Sequence, residues 1–127
     1  MKTRLPLKKL ERFFSSCPEI DTALLYGSFA KGRIRPSSDI DIAVLLCENR
    51  PDSWDYLAKL SVALQEICPR EVEVILLNQA SPHLAFRAIQ EGKIIFQRNR
   101  ALWTRFVVKT ISMNEDLEIL YRKVGRG

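Results

Sequence analysis

Two aspartates stand two positions apart where an apolar segment begins, in the triplet Asp39-Ile40-Asp41. If this segment is a β-strand, Asp39 and Asp41 lie on the same face, about 7 Å apart. Two like charges so placed repel one another, and Asp is a poor strand residue, so something must compensate. A divalent cation would do so, since Mg²⁺ is commonly held by one or two carboxylates together with substrate phosphates. Taken alone, the triplet favours the simpler interpretation of two acids at a solvated turn.

A second pair, Gly27-Ser28, changes that balance because it directly follows the apolar segment 22–26. Glycine lets the backbone approach a ligand closely, and the serine hydroxyl and the amides after it can donate to a phosphate. The full pattern is Gly27-Ser28, ten residues, and then Asp39 and Asp41. Four fixed residues at this spacing arise by chance about once in 10⁵ positions. The pattern therefore favours a metal and phosphate site over two unrelated turns.

The elements that must position these residues follow from the spacing of apolar positions. We predict helices near residues 6–16, 53–68, 82–91 and 99–123, the last with a break near Asn114, and strands at 22–26, 39–47, 71–77 and 94–96. Ser53 is the candidate N-cap of the second of these helices. This order predicts an α/β (α+β) fold, in which a small mixed β-sheet is flanked by helices, within a single domain spanning residues 1–127.

Composition limits the classes of function. The chain has 127 residues and a net charge of +5, which attracts anions without identifying them. Three dispersed cysteines and one histidine argue against a disulfide framework and against a zinc site, so any metal is expected to be a hard cation held by oxygen. We see neither a membrane span nor a signal peptide in the sequence and expect a cytoplasmic protein.

Two segments resemble a known signature. Segments 27–32 (GSFAKG) and 38–44 (SDIDIAV) resemble the signature of the polymerase-β-type nucleotidyltransferase superfamily. The small size and segment 72–78 (VEVILLN) are similar to the minimal nucleotidyltransferases in particular. The resemblance extends from about residue 22 to residue 96, and it implies the polymerase-β-type nucleotidyltransferase fold.

The resemblance also implies roles for individual residues. It makes Asp39 and Asp41 metal ligands and Ser28 a triphosphate contact, with Gly27 supporting the turn. The ligands would hold one or two Mg²⁺ ions, and ATP would be the substrate. These residues then form a catalytic and nucleotide-binding site.

A third acid on a neighbouring strand usually completes such a site. Glu73 occupies that position, where Asp is commoner, and it could ligate the metal or act as general base. Glu71 lies on the same predicted face and is the rival candidate, although a solvated strand end is the favoured interpretation of it. The sequence favours Glu73 for both the catalytic and the metal-binding role.

About 30 residues follow the predicted third strand and its helix, too few for a separate domain that holds an acceptor. The resemblance implies that a partner supplies the acceptor. In the similar family this partner is often a HEPN-type RNase toxin, and the nucleotidyltransferase is an antitoxin that places AMP on a toxin tyrosine. The alternatives are a non-catalytic binding antitoxin and a small-molecule enzyme of the aminoglycoside-modifying type. A homo- or hetero-oligomer is expected, without a membrane and without direct binding of nucleic acid.

Several other residues have two interpretations. Lys31, Arg33 and Arg35, between the two halves of the signature, fit a phosphate contact and a solvated loop about equally. Trp54 and Trp103 fit helical faces and are expected in the core or at an interface.

Overall fold

The computed structural model describes residues 5–32 and 39–124, without the side chains of Phe29 and of residues 116–124. The described residues contain five α-helices, four β-strands and one short 3₁₀ helix. The helices are α1 (Leu7–Ser15), α2 (Ser28–Lys31), α3 (Ser53–Ile67), α4 (Pro82–Glu91) and α5 (Arg100–Val124). The strands are β1 (Ile20–Tyr26), β2 (Ile40–Leu46), β3 (Val72–Leu76) and β4 (Lys93–Gln97), and the 3₁₀ helix is Leu77–Gln79.

The four strands form one mixed sheet in the order β3-β2-β1-β4. Strand β1 is antiparallel to both β2 and β4, whereas β2 and β3 are parallel. The parallel pair needs a crossover connection, and α3 supplies it. The predicted small mixed sheet flanked by helices is confirmed, and the strand boundaries differ from the predicted ones by one or two residues at most positions.

Helices cover both faces of the sheet. One face packs against α1 and α3 through fully buried residues that include Phe14, Ile42 and Leu64. The other face packs against α4 and α5, with Ala43 and Leu45 of β2 in that second cluster. Because strand side chains alternate, the candidate acids of β2 lie on this second face, at the end where β2 begins.

Two details of the helices differ from the sequence prediction. Helix α3 begins at Ser53 with Asp52 as its N-cap, and neither side chain supplies a capping bond there, so Ser53 is not the N-cap. Helix α5 runs unbroken through Asn114, whose Nδ2 donates to the carbonyl oxygens of Thr110 and Pro82 at 2.9 and 2.8 Å. The side-chain amide group of Asn114 therefore finds two acceptors without interrupting the helix, and one of these hydrogen bonds links α5 to the start of α4.

The two tryptophans have different environments. Trp103 stacks on Phe106 with ring centroids 6.0 Å apart, on the side of α5 that faces the sheet. Trp54 is 76% exposed near the start of α3, which excludes the core position among the two expected for it, and an interface position stays a prediction.

A polar cluster at the start of β1 joins distant parts of the chain. The guanidinium of Arg98 donates to the carbonyl oxygens of Phe14, Cys17 and Ile20 at 3.1 Å each, and to that of Ser15 at 3.3 Å. The fully buried carboxylate of Asp21 accepts from the Asn99 amide at 2.8 Å and from the Thr22 hydroxyl at 2.7 Å. We call Arg98 and Asp21 with these partners the β1 latch. It lies at the opposite end of β1 from Gly27.

Candidate active site

The turn after β1 is built around Gly27. Its φ of +72° lies in the left-handed region, which glycine adopts without strain. A β-carbon at this position would overlap the Oδ2 atom of Asp41, so any side chain here would displace that carboxylate. The short helix α2 starts at Ser28, and the Lys31 amide donates to the Gly27 carbonyl at 3.1 Å. Gly27 therefore permits both the turn and the close approach of Asp41.

Asp41 lies at the centre of the candidate site. On β2 it is the register partner of Tyr26 on one side and of Glu73 on the other. Its pKa is raised to about 6, first because burial penalises the charged form, and then because of the charge of Glu73 and a side-chain hydrogen bond with it. The charge of Asp39 raises the pKa further. The carboxyl group of Asp41 is thus held among other acids in a half-buried position.

The structure brings the other predicted acids towards Asp41 from two directions. Asp39 immediately precedes β2 and is exposed, and Glu73 lies exposed on the parallel strand β3. Glu71 also contacts β2, but with its main chain and not with its carboxylate. Its carbonyl oxygen accepts from the Ile40 amide at 2.8 Å. The contact with Asp41 therefore distinguishes Glu73 from its rival Glu71. Ser28 is partly buried at the start of α2, beside the Gly27 turn.

Two further residues, Tyr26 and Arg87, border the site and were not assigned to it from the sequence. The pKa of Tyr26 is raised to about 12, mainly because of burial and then because of the charges of Asp41 and Glu73. The charge of Arg87 on α4 counteracts the rise of the pKa of Asp41. The position of Tyr26 directly before Gly27 was a usable signal, whereas nothing in the sequence places Arg87 near β2.

Glu91 joins α4 to α2. Its Oε2 lies 3.1 Å from the Nζ of Lys31, and Arg87 Nε lies 3.4 Å from its carboxylate one turn earlier on α4. The two cations lower the pKa of Glu91. The fold thus brings Lys31 to the side of the sheet that carries Asp41, which the sequence left undecided. Arg33 and Arg35 lie outside the described residues.

The donor chemistry of these carboxylates fits a hard divalent cation. The described residues contain no group of three His, Cys, Asp or Glu side chains arranged to hold a metal ion. However, Mg²⁺ needs only one or two carboxylates when phosphates complete its coordination. Burial first, and then the charges of Glu73 and Asp39, raise the pKa of Asp41, and a bound cation would stabilise its charged form. Asp41 and Glu73, whose carboxyl groups are in contact, are the pair that would hold it, and Asp39 is close enough for its charge to raise the pKa of Asp41.

Most of the chain matches one known protein family. Residues 8–101 match the family model described as polymerase beta, nucleotidyltransferase. This match spans both halves of the signature and all four strands, so the chain belongs to the polymerase beta nucleotidyltransferase family. The recognition and the fold class predicted from the sequence are both confirmed.

Relatives within this family carry more specific names. The chain is 33% identical over 105 residues to the protein adenylyltransferase MntA of Shewanella oneidensis, an alignment that covers 80% of this chain and 70% of that protein. It is also 33% identical over 73 residues to the putative protein adenylyltransferase MJ0435 of Methanocaldococcus jannaschii, covering 58% and 76% of the two chains.

Solved structures agree with these relatives. A chain of a toxin–antitoxin crystal structure with AMP-PNP superposes with a TM-score of 0.74 at 28% identity, covering 94% of this chain and 95% of that one. A complex of the tri-AMPylated Shewanella oneidensis HEPN toxin with its MNT antitoxin gives a TM-score of 0.66 at 26% identity, covering 93% and 91%. These comparisons relate the chain to nucleotidyltransferases that occur in toxin–antitoxin complexes.

No helix in residues 5–32 or 39–124 combines the length and the apolar character that crossing a membrane requires.

Proposed function

We propose that the chain is a protein adenylyltransferase antitoxin. It transfers AMP from ATP to a tyrosine of a HEPN-type RNase toxin, and it acts as one nucleotidyltransferase domain in the cytoplasm. The observation that carries the proposal is the half-buried carboxyl group of Asp41, placed against the Gly27 turn and between Asp39 and Glu73. The names of the relatives support the protein acceptor and the toxin partner.

Each residue of the site has a task in this reaction. Asp39, Asp41 and Glu73 would hold Mg²⁺, which supplies positive charge to the triphosphate and to the oxygens of an in-line displacement. The turn at Gly27 and the hydroxyl of Ser28 present hydrogen-bond donors to the triphosphate.

The bonds that change are defined by the substrates. The phenol oxygen of the acceptor forms a bond to the α-phosphorus of ATP, the bond from that phosphorus to the bridging oxygen breaks, and pyrophosphate leaves. The phenol proton passes to a carboxylate or to water at the site. Glu73 is exposed and is in contact with Asp41, which supports a role for it as general base towards an acceptor that arrives from solvent.

Intact-mass spectrometry tests the proposal directly. The chain is incubated with ATP, MgCl₂ and the protein encoded by the neighbouring gene, and Asp41→Asn serves as the matched control. We expect the neighbour to gain the mass of one or more AMP groups with the wild-type chain and none with the variant. Replacing that protein's tyrosines by phenylalanine then identifies the acceptor.

Other results would support other functions. Tight binding of the neighbour protein without any gain in mass would identify a non-catalytic antitoxin. Modification of an aminoglycoside in the absence of a protein partner would identify a small-molecule nucleotidyltransferase. Full activity in both Asp39→Ala and Asp41→Ala variants would refute the assignment of the site.

A further inference from the structure

One face of α5 is only partly covered within the described residues. Thr104, Val107, Val108 and Ile111 follow one another at the spacing of a single helical face, and we call these four residues the α5 stripe. Val108 is 62% exposed and Ile111 is 40% exposed. The side of α5 that contacts the sheet and α4 carries a different set of residues, namely Leu102, Trp103 and Phe106.

Three residues of the α5 stripe form one wall of an open groove, together with Arg100 and Trp103; these three are Thr104, Val107 and Val108. The groove has a volume of about 360 Å³, and Ile94 and Gln97 of the edge strand β4 form its other wall. Ile94 is 48% exposed, so the groove is apolar along both walls.

Charges of opposite sign stand at the two ends of the stripe. Arg100 lines the groove at the start of α5, next to Gln97, and Glu115 is exposed fifteen positions further along the helix, about 22 Å away. No ion pair of either side chain occurs within the described residues. The arrangement is symmetric about the midpoint between Val107 and Val108. An antiparallel copy of the same helix would therefore meet it with matching apolar residues and opposite charges.

We propose that this groove binds a second copy of the chain, so that two α5 helices pack antiparallel about a two-fold axis that passes between Val107 and Val108. Such an interface is isologous, and each contact occurs twice. Arg100 of one copy meets Glu115 of the other, and Thr104 meets Ile111.

The charge layout favours a second copy over an unrelated partner. A helix face with basic residues at both ends would repel its own copy. Here Arg100 and Glu115, at the two ends of the α5 stripe, have opposite charges, so the face is complementary to itself in an antiparallel pair. The apolar part is short, so we expect a modest dissociation constant, about 10–100 µM. The interface does not use Asp39, Asp41 or Glu73 and is independent of nucleotide transfer.

A charge-reversal cycle tests the pairing. Sedimentation velocity of the chain alone is measured across concentrations at low salt for the wild type, Arg100→Glu, Glu115→Arg and the double variant. Each single reversal places like charges together twice, so dimerisation should weaken at least about tenfold. The double variant should return close to the wild-type dissociation constant. Circular dichroism confirms that each variant remains folded.

A matched pair of valines tests the apolar part. Val108→Glu should abolish the dimer, whereas Val62→Glu should leave it intact, because Val62 is 63% exposed on α3, far along the chain from α5. A wild-type chain that stays monomeric at the highest concentration overturns the proposal, as does a dimer that survives both Arg100→Glu and Val108→Glu. A monomer whose binding to the toxin is lost in Val108→Glu also overturns it, because the groove then binds that partner.

Discussion

Asp41 and Glu73 are register partners on the parallel strands β2 and β3, and their carboxyl groups are in hydrogen-bonding contact. Parallel strands place such partners at the same level of the sheet, so two acids far apart in sequence meet at one point. This pairing distinguishes Glu73 from Glu71 as the acid that contacts Asp41, a distinction that the sequence alone did not settle. It also determines which acid a mutational test should address first.

The first prediction compares these two glutamates. Glu73→Gln should lower the rate of AMP transfer by about 10²-fold or more, because it removes a charge in contact with Asp41. Glu71→Gln should stay near the wild-type rate, because Glu71 contacts β2 through its main-chain carbonyl, which the change preserves. Incorporation of AMP from labelled ATP measures both rates. Equal losses in the two variants would contradict the assignment of Glu73.

The second prediction concerns Gly27. Gly27→Ala places a β-carbon against the carboxylate of Asp41 and should lower AMP transfer by about 10²-fold, since displacing a reacting group by about 1 Å has effects of that size. Gly32→Ala is the matched control, because Gly32 has a φ of +75° but nothing within 4 Å of an added β-carbon.

Both glycine variants should lose about 1 kcal/mol of stability, because alanine is strained at positive φ. Only Gly27→Ala should also lose activity when both are assayed below their unfolding temperatures. If Gly32→Ala is equally inactive, backbone strain and not contact with Asp41 explains the effect.

The third prediction concerns pH. Without metal, the pKa of Asp41 is about 6 in the fold, against an ordinary value of 3.8. A raised carboxyl pKa means that the fold disfavours the charged form, so Asp41 weakens the fold as the pH rises from about 4 to about 6. Asp41→Asn should therefore be more stable than the wild type at pH 7.5, by on the order of 1 kcal/mol, with no difference near pH 4.

Urea unfolding in EDTA at several pH values measures this difference. Asp52→Asn provides a control of opposite sign, because the hydrogen bond from Arg50 lowers the pKa of Asp52. That variant should be less stable than the wild type at neutral pH, and its deficit should disappear as the pH falls. An Asp41→Asn variant that is less stable than the wild type at pH 7.5 would disprove the prediction.

The fourth prediction addresses the β1 latch. Arg98→Met removes the donors to four carbonyl oxygens and should cost about 2–3 kcal/mol in the free energy of unfolding. Arg105→Met, at an exposed position of α5, should change stability by less than about 0.5 kcal/mol. At a temperature where both variants are folded, each should transfer AMP at the wild-type rate, since the latch is remote from Gly27. Loss of transfer in folded Arg98→Met would show that the latch also affects the site.

The sequence predicted the parts of the site that depend on local pattern. Asp39, Asp41 and the Gly27 turn could be identified because strand alternation and glycine chemistry act over a few residues. The proximity of Arg87 to Asp41 could not be predicted from the sequence, because it depends on how α4 crosses the sheet. Trp54 was expected in the core or at an interface on its helical spacing, yet spacing alone does not reveal that its side chain is 76% exposed in the fold.

The unbroken course of α5 has a similar explanation. Asn114 is a poor helix residue and suggested a break. Its amide instead binds Thr110 within the helix and Pro82 of α4, a contact that only the folded arrangement provides. Tertiary contacts thus overrode a local preference at this position.

The place of β4 in the sheet has a consequence for synthesis on the ribosome. Thr22 pairs with Gln97, so β1 lacks one of its two neighbours until nearly the whole sheet-forming part of the chain has been made. Until then a nascent chain that has already paired β1 with β2 presents an apolar, unpaired strand edge, a surface prone to aggregation. Stalled or truncated chains that end before residue 97 should therefore be captured by chaperones or degraded, and only chains that have passed this point can complete the sheet.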